Sequence, residues 1–289
     1  MTDDPRLMLL FALADDELIL GHRHSEWTGW APHIEEDLAF SSIAQDEMAH
    51  ARLLYGLAKG LTGKDEDELA LGRSSQEYRN AWICERPNRD WGYTLARQYL
   101  YDTADAVRLD ALSSSSWREL ADLTEVIRLE EKYHLDHARA WLERLGEGPV
   151  TARQRLADGL ASALGEALAV FEPIPGEDRL VSDGVLPRSS EELLGEWLAT
   201  VGSDLEAASL DFVLAEHAPR TGEMVPTSTG EIEEQEPFAS PGVVRRDGRW
   251  VHEGAFVGAG GRGGRHSDDF LPLWDEMTRL YREHRGATW

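Results

Sequence analysis

Two segments each place a glutamate and a histidine three residues apart on stretches with helical periodicity. Glu47 and His50 lie in "SSIAQDEMAHARLLYGLAKG", and Glu131 and His134 lie in "EEKYHLDHARAWLERLG". Both pairs fall on apolar faces. Phe40, Ile43, Glu47, His50 and Leu54 share one face, and Leu120, Ile127, Glu131, His134, Ala138 and Trp141 share another. Chance gives roughly one Glu-x-x-His in a chain of this composition, so either pair alone carries little weight. Two further carboxylates change that. Glu17 stands between Leu13 and Leu20, thirty positions before Glu47, and Asp102 between Gln98 and Leu109, twenty-nine before Glu131. Each half therefore reads carboxylate, about thirty residues, then Glu-x-x-His: a two-fold quasi-repeat of one helix pair.

A carboxylate buried without a partner costs several kcal/mol or takes up a proton. Four of them directed into one bundle also repel each other. Two divalent cations would relieve both penalties, and one carboxylate from each of two helices plus Glu-x-x-His from each of two others is the arrangement of di-iron and di-manganese bundles. The expected ligands are Glu17, Glu47, His50, Asp102, Glu131 and His134, holding two Fe or Mn ions. Fe(II) in such a site can reduce dioxygen and hydroxylate or epoxidise a carbon substrate. The competing reading makes the six ordinary polar residues, with faces misjudged by one position. Asp16 competes with Glu17, Glu130 with Glu131 and Asp105 with Asp102, and the matched spacings favour the second of each pair. His137 reads as a surface or supporting residue, and His24 is open to either role.

Long helices must carry these residues. Periods of three and four predict segments at Asp4–Glu26, Ile34–Leu61, Asp90–Leu112 and Trp117–Leu145. Ser116 is the expected N-cap of the fourth, with Glu119 as its capping-box partner. "EYRNAWICERP" reads as a short helix ended by Pro87. Further helices are expected at Thr151–Phe171, Ser190–Ala215 and Asp269–His284. "PIPGEDRLVSDGVLP" reads as a loop and Pro219–Asp268 as an extended or mobile connector. Within the connector, "VVRRDGRWV" has the Asp-Gly of a hairpin turn. The class is all-α: a single domain over 1–289, with a four-helix bundle over about 4–215, additional helices, and a long polar connector before the last helix.

The formal net charge is −25, which argues against nucleic acid as a partner, because phosphate binding needs a basic face. Only Lys59, Lys64 and Lys132 are lysines among 29 basic residues. A GC-rich genome and adaptation to salt explain this equally well. The lone Cys84 excludes an intrachain disulfide and a cysteine zinc site. With no run of eighteen apolar residues and an acidic N-terminal segment, the expectation is a cytoplasmic protein that does not enter a membrane. Arg245, Arg246, Arg249, Arg262 and Arg265 form the one basic stretch. A CoA pyrophosphate would favour it, although a solvated loop or pairing with a partner's acids accounts for it more simply.

"LADDELILGHRHSEWTGWAPHIEEDLAFSSIAQDEMAHARLLYGLA", "ARQYLYDTADAVRL", "EEKYHLDHARAWLERLG" and "LPLWDEMTRLYREHRGATW" resemble the C-subunit family of phenylacetyl-CoA epoxidase, a multicomponent ring 1,2-monooxygenase. The resemblance covers residues 7–215 and about the last 25, and fades over 219–264. It implies a ferritin-like fold and a homologous catalytic A subunit as partner in a heteromeric core. It implies a role in aerobic phenylacetate catabolism, with O2 and NADPH-derived electrons delivered by a flavin and iron–sulfur reductase subunit. It also implies a structural rather than catalytic role, because several members of the family have lost metal ligands that the A subunit keeps; a purely structural subunit would carry no metal. Here all six candidate ligands are present.

Overall fold

The computed structural model describes residues 4–216, 242–253, 258–284 and 287. Four long helices make the body: α1 (Pro5–Ser25), α2 (Ile34–Thr62) and, beyond the short α3 (Glu66–Leu71) and α4 (Trp82–Glu85), α5 (Trp91–Leu112) and α6 (Arg118–Gly146). α1 packs along α2, α5 along α6, and α2 meets α6. The two hairpins of the quasi-repeat thus close face to face, and the helices bearing the Glu-x-x-His pairs become neighbours. Outside this body lie α7 (Val150–Leu168), α8 (Glu177–Ser182), α9 (Ser190–Ala207), α10 (Phe212–Glu216) and α11 (Phe270–Glu283). The described residues contain one antiparallel hairpin, β1 (Val243–Arg246) and β2 (Arg249–His252). The fold is all-α, as expected.

Local chemistry sets the boundaries. Asp4 caps α1 by accepting the Arg6 N–H at 3.0 Å, and Pro5 fills the first position, where no N–H is needed. Asp90 accepts the Tyr93 N–H at 2.9 Å and starts α5. Arg86 leaves α4 in an extended conformation ahead of Pro87. The hairpin turns on Asp247 and Gly248, both at positive φ.

Three local expectations are corrected. Ser116 does not cap α6: Trp117 holds that position without a side-chain bond, and the Ser116 hydroxyl donates to the Asp183 carbonyl at 2.8 Å. The reciprocal capping box is found instead at Ser189 and Glu192, opening α9. The loop after α7 contains α8, and the helix expected over Ser190–Ala215 stops at Ala207. There Ser209 turns to positive φ, and the Leu210 N–H returns to the Leu205 carbonyl at 2.7 Å. Much of the expected connector (219–241 and 254–257) lies outside the described residues.

α7 supports the site-bearing α5 through an unusually close crossing. A Cβ at Gly159 would stand 2.8 Å from the Tyr93 Cα, and one at Gly92 would stand 2.8 Å from the Arg155 carbonyl oxygen. Only paired glycines permit this backbone approach. Among the described residues no helix is long and apolar enough to cross a membrane.

Candidate metal centre

α1 is buried on every side, and it carries three consecutive buried acids, Asp15, Asp16 and Glu17. Successive helical positions point about 100° apart, so each acid needs a partner of its own. Asp15 takes the Tyr55 hydroxyl at 2.5 Å and the Arg73 guanidinium. Asp16 accepts from Arg108 at 2.8 Å, from both terminal nitrogens of Arg262 and from the Ala81 N–H. Burial pushes the Asp16 carboxyl upward, but the two guanidiniums hold it below its ordinary range. Glu17 alone turns to the bundle centre, which decides between it and Asp16. Asp105 likewise goes to Arg108, at 2.6 Å.

All six expected ligands are buried, none more than 4% exposed. Glu17, His50 and Glu131 offer ligand atoms within 4.8 Å of one another. His50 Nδ1 lies 3.2 Å from Glu17 Oε2 and 3.1 Å from Glu131 Oε1, and His134 Nδ1 lies 3.1 Å from the same Glu131 oxygen. Glu47 and Asp102 stand apart from this cluster. Glu47 Oε1 sits 3.0 Å from His24 Nδ1 without a hydrogen bond between them. Glu47 Oε2 and both Asp102 carboxylate oxygens find no hydrogen-bond partner among the described residues. Three such oxygens in one core are costly. Hard oxygen donors of this kind beside two imidazoles fit divalent iron or manganese.

The electrostatics show the same frustration. Burial, then the charges of Glu17, Glu131 and Asp102, pushes the Glu47 carboxyl well above its usual range. Burial and Glu131 do the same to Asp102, and Glu17 is raised for the same two reasons. Burial opposes charge on His50 and His134, yet the facing carboxylates raise them to about 12 and about 10. Glu131, buried between these two imidazoliums, falls to about 2. Without a metal, two protons on histidines supply the positive charge that the carboxylates require.

The other imidazole nitrogens are engaged in a crossed pattern absent from the sequence reading. His50 Nε2 on α2 meets Glu130 of α6 at 2.7 Å, and His134 Nε2 on α6 meets Asp46 of α2 at 3.3 Å. Each supporting acid immediately precedes the glutamate of the opposite pair. The legible signal was an acid-Glu-x-x-His pattern occurring twice. Glu130, weighed against Glu131 as a ligand, is thus a support that fixes ring orientation. The Tyr101 hydroxyl donates to Glu17 Oε1 at 3.2 Å. His137 binds Glu36 at 2.8 Å, away from the centre, consistent with a supporting residue. Phe40 packs edge-on against His24 and His137, and Trp91 and Trp141 pack behind it at that end of the site. On another side a half-open groove of about 380 Å³ runs between α5 and α6, from Arg128 and Lys132 to Glu131.

Four core helices that present carboxylates and two Glu-x-x-His pairs to one buried centre define a ferritin-like carboxylate bundle. Residues 1–224 match the family model described as phenylacetic acid catabolic protein. The chain is 33% identical over 213 residues to the C subunit of the 1,2-phenylacetyl-CoA epoxidase of Escherichia coli (strain K12), covering 73% of this chain and 84% of that protein. The chain belongs to this phenylacetic acid catabolic family.

Proposed function

We propose that this chain is the C subunit of a multicomponent phenylacetyl-CoA ring 1,2-epoxidase, supporting a homologous catalytic A subunit in aerobic phenylacetate catabolism. The observation that carries the reading is the similarity to the Escherichia coli protein across 84% of its length. A flavin and iron–sulfur reductase is the more distant partner. The compartment proposed for this complex is the cytoplasm.

We further propose that Glu17, Glu47, His50, Asp102, Glu131 and His134 hold two divalent cations, iron or manganese. The partnerless oxygens of Glu47 and Asp102 support this, as does the crossed support of both histidines. Bound iron would supply the capacity to activate dioxygen. The chain's own residues would supply the rest. Glu130 and Asp46 would orient the imidazoles, Tyr101 would fix one oxygen of Glu17, and the apolar Phe40–Trp91–Trp141 cluster would keep water from one end. The groove would give ions a path to Glu131, its acids Asp110 and Glu125 offsetting the charge of Arg128.

The intact ligand set also supports a second reading, an oxygenase or oxidase that uses its own site. Co-expression with the A subunit separates the two. The C-subunit role predicts that the chains co-purify and that epoxidation survives Glu47→Ala here. Loss of turnover with assembly intact would instead assign catalysis to this chain.

A further inference from the structure

The Gly-rich stretch "GAGGRGGRH" plays no part in the function proposed above, and its Arg262 is not a surface residue. It is 1% exposed. Its guanidinium reaches the Asp16 carboxylate through both terminal nitrogens, at 2.9 and 2.8 Å. It also donates to the backbone carbonyls of Ala12, Arg79 and Val170 at 2.8 to 3.0 Å. These acceptors lie on α1, before α4 and after α7, so one side chain ties three parts of the fold together. The flanking glycines make the insertion possible. A Cβ at Gly261 would come within 2.4 Å of the Asn80 carbonyl oxygen, and one at Gly264 within 2.2 Å of that of Gln76.

Asp16 is the first link of a buried chain. Its second guanidinium partner, Arg108, donates at 2.8 Å and also contacts the Tyr101 hydroxyl at 2.9 Å. Tyr101 in turn donates to Glu17 Oε1 at 3.2 Å. Glu17 Oε2 is then the oxygen left facing His50. Arg108 is shared between Asp16, Asp105 and Tyr101, so what holds Asp16 decides where Arg108 can sit. Resting on the metal-site reading above, we propose that Arg262 is a positioning residue for that site: inserted from the C-terminal segment, it orients Glu17 through Asp16, Arg108 and Tyr101. The sequence separation is large, 246 positions from Arg262 to Asp16, so the segment beyond the hairpin becomes part of the metal centre's scaffold.

The test is a double-mutant cycle on the full chain, with Mn(II) alone as the probe and binding followed by calorimetry. Arg262→Lys keeps a positive charge but cannot grip both Asp16 oxygens and three carbonyls. Tyr101→Phe cuts the same chain at its inner end. Each single variant is expected to weaken Mn(II) binding by about 10-fold, the scale of lost support for a ligand. The double variant should also lose about 10-fold and not about 100-fold, because both changes break one path. Arg265→Ala, on the same segment, should bind as the unaltered chain does. If Arg262→Lys prevents folding, judged by circular dichroism, Asp16→Asn takes its place in the cycle. Full affinity in the outer variant, or additive losses, overturns the link while leaving the metal reading intact. No Mn(II) binding by the unaltered chain overturns both.

Discussion

Glu131 lies within 3.1 Å of both His50 and His134 and falls to about 2, while those histidines rise to about 12 and about 10. The direction of these shifts fixes the sign of two pH effects. A histidine whose folded pKa is raised adds stability that is complete below its unfolded value, near 6.5, and is lost as pH climbs through the folded value. Glu47 and Asp102, raised by burial, act the same way: their preference for the proton favours the folded state at low pH, and that gain fades above the unfolded carboxylate range. The metal-free chain should therefore melt at progressively lower temperature from about pH 6 to about pH 10. Thermal unfolding monitored by circular dichroism checks this, and a melting temperature that rises over that range would contradict it. Metal binding must expel the imidazole protons, so affinity should rise with pH and calorimetry in buffers of different ionisation enthalpy should register proton release. The crossed supports are equally testable. Glu130→Gln and Asp46→Asn should each cost about 10- to 100-fold in Mn(II) affinity while leaving the fold intact.

The helices decide which of these residues meet. Gly159 and Gly92 let α7 approach α5 at backbone contact, so Gly159→Val should destabilise the protein by about 1–3 kcal/mol or more through overpacking. Urea unfolding measures it, and a loss below about 0.5 kcal/mol, as for a surface change, would show that α7 does not brace α5 there. The long amphipathic helices and the two Glu-x-x-His faces were legible because burial imposes a period of three to four on them. Glu17 was legible only through its spacing to Glu47, since an all-buried helix has no polar face to read. Asp15 and Asp16 are as buried as Glu17. What separates the three is the partner each faces, and Arg73, Arg108 and Arg262 come from distant parts of the chain. The Ser116 cap failed for a similar reason: tertiary contact with the turn after α8 claimed its hydroxyl. Arg262 was not legible as a buried residue because it falls in a basic, Gly-rich stretch that reads as a solvated loop or as pairing with a partner's acids, whereas its glycines permit close backbone contact.

At the scale of the molecule, 54 acidic residues face 29 basic ones. Exposed arginines are already paired, among them Arg245 with Glu206 and Arg246 with Glu253, and such pairs contribute little each. The net repulsion should yield to screening, so added salt is expected to raise the melting temperature. Maximal stability at the lowest salt would remove both this expectation and the salt-adapted reading of the composition. The same acidic surface leaves a small set of cations for specific work, and the structure places Arg73, Arg108 and Arg262 inside the bundle. These neutralise Asp15, Asp16 and Asp105 around the site, while Glu17, Glu47, Asp102 and Glu131 are left to its centre. That division is the basis for proposing a metal at the centre. The most direct test is a metal count on the isolated chain at saturating Fe(II) under anaerobic conditions, read by elemental analysis after removal of free ion. About two ions per chain are expected from the paired half-sites, falling when Glu47 and Glu131 are replaced by alanine. No bound metal in a correctly folded chain would contradict the account and leave the six residues as a proton-balanced polar core.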